Sequence, residues 1–129
     1  MDWTIKMVRT ALGDKLIGSV FMHEQVCKTL LLLPSSMIEK VCKTVWFISS
    51  PVDAWAFTFR GSDIKERHLI FLSEELFRQD ENQIRYTILH EIGHVILNHR
   101  NSIGSMQTDS EIKRQEREAD IFARSYLNE

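Results

Sequence analysis

Residues 80–97 constrain the fold more than any other part of the chain. Asp80 is placed to act as a helix N-cap, with Gln83 in the third helical position. Ile84, Ile88, Ile92 and Val95 then recur at intervals of four and three, with Leu89 and Ile96 beside them. A helix with this pattern is apolar around much of its circumference, so other elements must cover it on more than one side. A chain of 129 residues suits one core. A single domain over residues 1–129, built around this helix, is therefore expected.

Within this helix sits His90-Glu91-Ile92-Gly93-His94, an HExxH motif. Residues four apart on a helix lie about 40° apart around the axis and one turn along it. Both imidazoles can therefore converge on one metal ion at about 2.0–2.1 Å, the distance zinc takes to histidine nitrogen. Glu91 sits about 100° round from His90. From there it can stay out of the coordination shell and accept a proton from an attacking water, which zinc acidifies to near pH 7. Without a metal, a buried glutamate between two histidines would be costly, because buried charges need partners. One zinc ion per chain is expected.

A catalytic zinc takes three protein ligands and keeps one position open. The third is sought in Gln115-Glu116-Arg117-Glu118-Ala119-Asp120, in a second helix that Thr108 and Glu111 open as a capping box. This helix carries Ile112, Ala119, Phe122, Ala123, Tyr126 and Leu127 on one stripe. With Glu116 at zero, Ala119, Ala123 and Tyr126 cluster near about −60°, −20° and −80°, Leu127 lies near +20°, Asp120 near +40°, and Glu118 about 200° away. Glu116 is therefore expected as the third ligand and Glu118 in solvent. Asp120, one turn on, is expected to accept an N–H from a ligand histidine, the usual way of fixing its tautomer. The small Ala119 and Ala123 would let the two helices approach closely. Gly93, which costs about 1 kcal/mol relative to alanine in a helix, suggests close approach of a neighbouring element. His23, His68 and His99 read as surface or satisfied core histidines, and Tyr126 as a packed aromatic.

The rest of the chain supplies the cover. Residues 45–48 are β-branched and aromatic. Residues 54–59 alternate, with Trp55, Phe57 and Phe59 on one face, and 68–72 are continuously apolar. Together they suggest a sheet of about three strands packed on the buried helix, an α+β arrangement. Residues 61–66 and 101–109 read as loops. Near the N-terminus, Trp3, Ile5, Val8 and Leu12 have helical spacing that Gly13 and Gly18 cut short, and Ser35-Ser36 opens a short helix.

Composition narrows the function classes. The net charge of −2 offers no basic excess for nucleic acid. The richest apolar run, residues 30–33, ends at Pro34 and is far too short to span a bilayer. Asp14 and Lys15 interrupt the apolar run a signal peptide would need. Two cysteines, Cys27 and Cys42, make no disulfide framework and read as reduced thiols. A cytoplasmic location is the expectation.

Residues 85–99 and 116–123, the second beginning Glu116-Arg117-Glu118-Ala119-Asp120, resemble the ImmA/IrrE family of metallopeptidases. The resemblance covers roughly the C-terminal half and the strand before it, with two separated motifs agreeing in order and spacing. It implies a zincin-like α+β fold, zinc held by His90, His94 and Glu116, Glu91 as general base, and cleavage of a helix-turn-helix transcriptional repressor in trans. Residues up to about 48 lie outside it, and no helix-turn-helix segment is recognisable in the chain. A second reading is an anti-repressor or toxin–antitoxin component that binds its partner and uses zinc structurally. Glu91 favours catalysis, since a structural site has no need of a base.

Overall fold

The computed structural model describes residues 2–50, 56–60, 68–99 and 108–127, and for 56–60 the backbone alone. The loops read over 61–66 and 101–107, Trp55, and the side chains of Phe57 and Phe59 lie outside the described residues.

Helix α1 (Ile5–Leu12) begins at Thr4, whose Oγ1 accepts the Met7 N–H at 3.2 Å, and buries Val8 and Leu12. It stops at Gly13, whose φ of 53° is open to a residue without Cβ. A 3-10 turn, Gly13–Lys15, leads into strand β1 (Leu16–Ile17). Helix α2 (Val20–Leu30) is capped by Ser19 Oγ, which accepts the Met22 N–H at 3.1 Å. Helix α3 (Ser35–Thr44) follows Pro34 and is short, as the serine pair predicts. Neither β1 nor α2 is legible in the residues. A two-residue strand is too short to alternate. Helix α2 buries Gln25 and Thr29 among Met22, Val26, Cys27 and Leu30, which blurs its stripe. Cys27 and Cys42 are free and buried, and burial, with Cys27 nearby, pushes the Cys42 thiol up to about 11.

The three expected strands are β2 (Val45–Ser50), β3 (Ala56–Arg60) and β4 (His68–Ser73). With β1 they form a four-stranded sheet, one strand more than expected, in the order β1-β2-β4-β3. Strands β1, β2 and β4 run parallel, with Phe47 opposite Ile70; β3 runs antiparallel to β4. Val45, Phe47, Ile70 and Leu72 share one face and are fully buried.

Helix α4 (Glu81–Ile96) is capped by Asp80, whose Oδ1 accepts the Gln83 N–H at 2.8 Å. Ile84, Ile88, Leu89, Ile92 and Val95 enter the same core cluster as the sheet residues and α1 to α3. Each such side chain contributes about 1.5–3 kcal/mol relative to exposure. Helix α5 (Asp109–Tyr126) begins at Thr108, whose Oγ1 accepts the Glu111 N–H at 3.1 Å, and packs along α4. Its inward face is Gln115, Ala119, Phe122 and Ala123. Ile112, placed on the stripe by its spacing, is 43% exposed in the first turn. The architecture is α+β, and among the described residues no helix is long and apolar enough to cross a membrane.

Candidate metal centre

Helix periodicity and close packing bring the polar residues together. Gly93 lies directly under α5: a Cβ there would meet Phe122 Cδ1, Cγ and Cβ at 3.1, 3.2 and 3.3 Å. Ala119 and Ala123 are fully buried. Small residues on both helices thus let the turn carrying Glu116 reach the turn carrying the histidines.

His90, His94 and Glu116 each offer a ligand atom, all within 4.8 Å of one another. Glu116 Oε2 lies 2.8 Å from His94 Nε2 and 3.5 Å from His90 Nε2. Ligands at about 2.0–2.1 Å in a tetrahedral shell stand about 3.3 Å apart, so the two separations straddle the value a zinc ion would set. Two imidazoles and one carboxylate leave a fourth position open. The donor set therefore fits zinc in number, type and spacing. The imidazole rings are half-buried, whereas the Glu116 side chain is 55% exposed, which leaves the centre open on the α5 side.

Glu91 is buried and sits beside the triad, with Oε2 3.5 Å from His90 Nδ1. Burial disfavours a charged His90, but the carboxylates of Glu91, Glu116 and Asp120 outweigh it and hold its pKa above the ordinary value. For His94 burial prevails and the pKa is lowered. Carboxylates thus gather around the two imidazoles, an arrangement suited to a cation.

Asp120 departs from expectation. It shares the inward side of α5, but its carboxylate accepts from Tyr86 Oη, and Arg124 Nε donates to both oxygens at 3.1 Å. Its influence on His90 is through space. The expected hydrogen bond from a ligand histidine goes elsewhere: His94 Nδ1 meets His99 Nδ1 at 2.9 Å, and His99 Nε2 meets Glu118 Oε1 at 2.7 Å. His99 is therefore a buried partner of the centre. Glu118, expected in solvent, is only 44% exposed, less than Glu116, and holds the buried His99. The wheel treats only what faces the body of α4, whereas His99 belongs to the chain beyond its end.

Tyr86 was not among the expected site residues. It lies one turn before His90, with ring centroids 5.8 Å apart, and Arg124 stacks over its ring at 5.5 Å. Burial, then the bond to Asp120, pushes its hydroxyl up to about 12. Its place four residues before His90 is the signal that finds it. Tyr86, Arg124 and Leu127 also line a cleft of about 570 Å³ that borders the centre without containing any of the three ligands. Tyr126 packs on Phe122 at 5.0 Å, as a packed aromatic should. His68 is a buried residue of β4 and His23 a half-buried one of α2; neither joins the triad.

An α+β chain that sets two histidines, one turn apart on a buried helix, against a glutamate of the next helix belongs to the class of proteins able to hold a metal beside a buried carboxylate. In comparisons with known proteins, the model of the peptidase U49 family matches residues 81–129, the segment that carries α4, α5 and every residue of the centre. That match supports a peptidase. No curated protein and no solved structure matches the chain.

Proposed function

We propose that the chain is a zinc-dependent endopeptidase of zincin-like architecture, with His90, His94 and Glu116 as ligands and Glu91 as general base. The observation that carries it is the convergence of those three ligand atoms within 4.8 Å beside a buried glutamate. Zinc, when bound, supplies Lewis acidity toward water and the scissile carbonyl. Glu91 takes the proton from the attacking water on its carboxylate and delivers it to the departing amine. Low solvent access around Glu91 keeps that proton from being lost to bulk water. The substrate lies extended. Strand β3 is the longer of the two sheet edges, five residues against two in β1, and packs near α4. It is the edge to which a peptide would add as a further strand.

The substrate class follows from the resemblance to the ImmA/IrrE family: a helix-turn-helix repressor cut in trans. A folded domain cannot present an extended segment, so the cut is placed in a linker or a locally unfolded helix. The test is incubation of the zinc-loaded chain, and of Glu91→Gln, with a repressor encoded beside it. Mass spectrometry should show one or few cuts outside the compact domain, absent in Glu91→Gln. Cutting of unrelated unfolded proteins at many sites would refute repressor specificity. Repressor binding without any cut, unchanged in Glu91→Gln, would favour the anti-repressor reading.

A further inference from the structure

We propose that His99 and Glu118 form a positioning relay that locks His94 in the tautomer able to bind metal; the proposal rests on the reading of His94 as a ligand. The end of α4 builds the relay. Asn98 takes φ 58°, a left-handed conformation asparagine tolerates better than most residues. The Asn98 N–H then bonds Val95 O at 3.1 Å, and the His99 N–H bonds His94 O at 2.9 Å. This pair of bonds is the Schellman closure of a helix. It folds His99 back over His94, so that backbone and ring of His99 both engage the same residue.

A neutral imidazole has one donor nitrogen and one acceptor. In the 2.9 Å contact between His94 Nδ1 and His99 Nδ1, one nitrogen must carry the hydrogen and the other must lack it. If His94 carries it, its Nε2 is bare and faces Glu116, ready for a metal. His99 Nδ1 then accepts, and the His99 hydrogen sits on Nε2, 2.7 Å from Glu118 Oε1. An ionised carboxylate only accepts, so both contacts of His99 are satisfied, and the bare His94 Nε2, 2.8 Å from Glu116 Oε2, is left for a cation to bridge. The opposite arrangement sets a bare His99 Nε2 against that carboxylate, lone pair to lone pair. Glu118 therefore favours the His99 tautomer that leaves the hydrogen on His94 Nδ1, against the pull of Glu116 toward a hydrogen on His94 Nε2, and removing Glu118 tips that balance. Neither residue needs to touch the metal.

Zinc affinity of the full chain, measured by chelator competition, is read together with long-range ¹⁵N NMR of the His94 tautomer in the metal-free chain. His99→Phe and Glu118→Leu should each weaken zinc by about 10- to 100-fold, the usual cost of losing an outer partner. Each should also depopulate the His94 form protonated at Nδ1. Glu118 is 44% exposed, so Glu118→Leu leaves the core intact even if His99→Phe does not fold. His99→Gln should restore most of the affinity and the tautomer, and Glu118→Gln, whose amide can donate as well as accept, only part of them. The side-chain amide each introduces has an oxygen that can accept, and in His99→Gln its nitrogen can donate onward to Glu118. If His94→Ala abolishes zinc binding while His99→Phe and Glu118→Leu change neither affinity nor tautomer, the relay is wrong and the metal centre stands. If His99→Phe abolishes zinc and Glu118→Leu does nothing, His99 is itself a ligand and the relay is wrong. If the wild type binds no zinc, the metal reading falls, and an unchanged tautomer in Glu118→Leu overturns the relay as well.

Discussion

Gly93→Ala tests the packing that assembles the centre. Alanine is favoured over glycine in a helix interior by about 1 kcal/mol, so on propensity alone the variant should be more stable. The new Cβ, however, would stand 3.1, 3.2 and 3.3 Å from Phe122 Cδ1, Cγ and Cβ. The ring could swing aside, but Phe122 Cβ is fixed to the backbone of α5, so α5 itself must retreat by a few tenths of an ångström. Overpacking of this kind costs about 1–3 kcal/mol. Set against the propensity gain, the net is a loss of about 1–2 kcal/mol, the upper part of the range because rotamer change alone cannot relieve the contact. For a chain of this size that lowers Tm by about 4–8 °C. Glu116 moves with α5, so zinc should weaken too. Thermal denaturation of the metal-free and zinc-loaded protein reads both effects. Phe122→Leu in the Gly93→Ala background should recover part of each, with a coupling above about 0.5 kcal/mol in the double-mutant cycle. A rise in Tm with unchanged zinc affinity would refute the close-approach argument.

Zinc should raise Tm, by the equivalent of about 2.7 kcal/mol at one hundred times Kd, and chelator should reverse it; a melt indifferent to both would count against the centre. Glu91→Gln should keep zinc and lose peptide hydrolysis, whereas Glu116→Gln should lose affinity for zinc itself; metal analysis beside a cleavage assay separates the two roles, and the reverse pattern would exchange the assignments. Ile88, fully buried in α4, should cost about 2–5 kcal/mol as Ile88→Ala in urea denaturation; a loss under about 1 kcal/mol would mean the helix is not the centre of the core. The bond from Tyr86, and then Arg124, holds the Asp120 carboxyl below its ordinary value. The unfolded chain therefore binds that proton more readily. The contribution is present above about pH 4 and is lost as pH falls through the lower folded value. Asp120→Asn should flatten that part of the acid limb in urea melts, and an unchanged limb would show that the bond contributes nothing.

What could be read from the residues depended on how far each position is set by local periodicity. The HExxH helix, its Asp80 cap, the Thr108 cap and the inward placement of Glu116 follow from a repeat of 3.6 residues and from capping chemistry. The helix and the two caps are found where expected, and Glu116 reaches the histidines although its side chain is 55% exposed. Gly93 was informative because a glycine inside a buried helix has few other uses, and Phe122 fills the space it leaves. Strand β1 and helix α2 were illegible for the opposite reason: one is too short to show a period, and the other buries polar residues on the face that should be apolar.

The missed residues of the centre share one cause. Angular arguments hold only while the helix continues, and α4 closes at Ile96. His99 would point wherever an extended helix carried it, were Asn98 not in the left-handed region. Because it is, the next residue turns back onto His94, and a position that looks peripheral becomes a neighbour of the ligand. The same turn changes the meaning of Glu118. Its angle on α5 excludes it from the triad, and the structure keeps it out, but the returning chain brings His99 to it. Asp120 fails in the other direction. Its angle is right, yet Tyr86 and Arg124 take its oxygens before a histidine can. An angular argument therefore suffices to bring a candidate ligand to the triad, even from the exposed edge of α5. It is not sufficient for the partner behind that ligand, whose identity is decided by how the ligand's helix ends. An asparagine at the closing position followed at once by a histidine, five residues after the second ligand, is the pattern that would have revealed it.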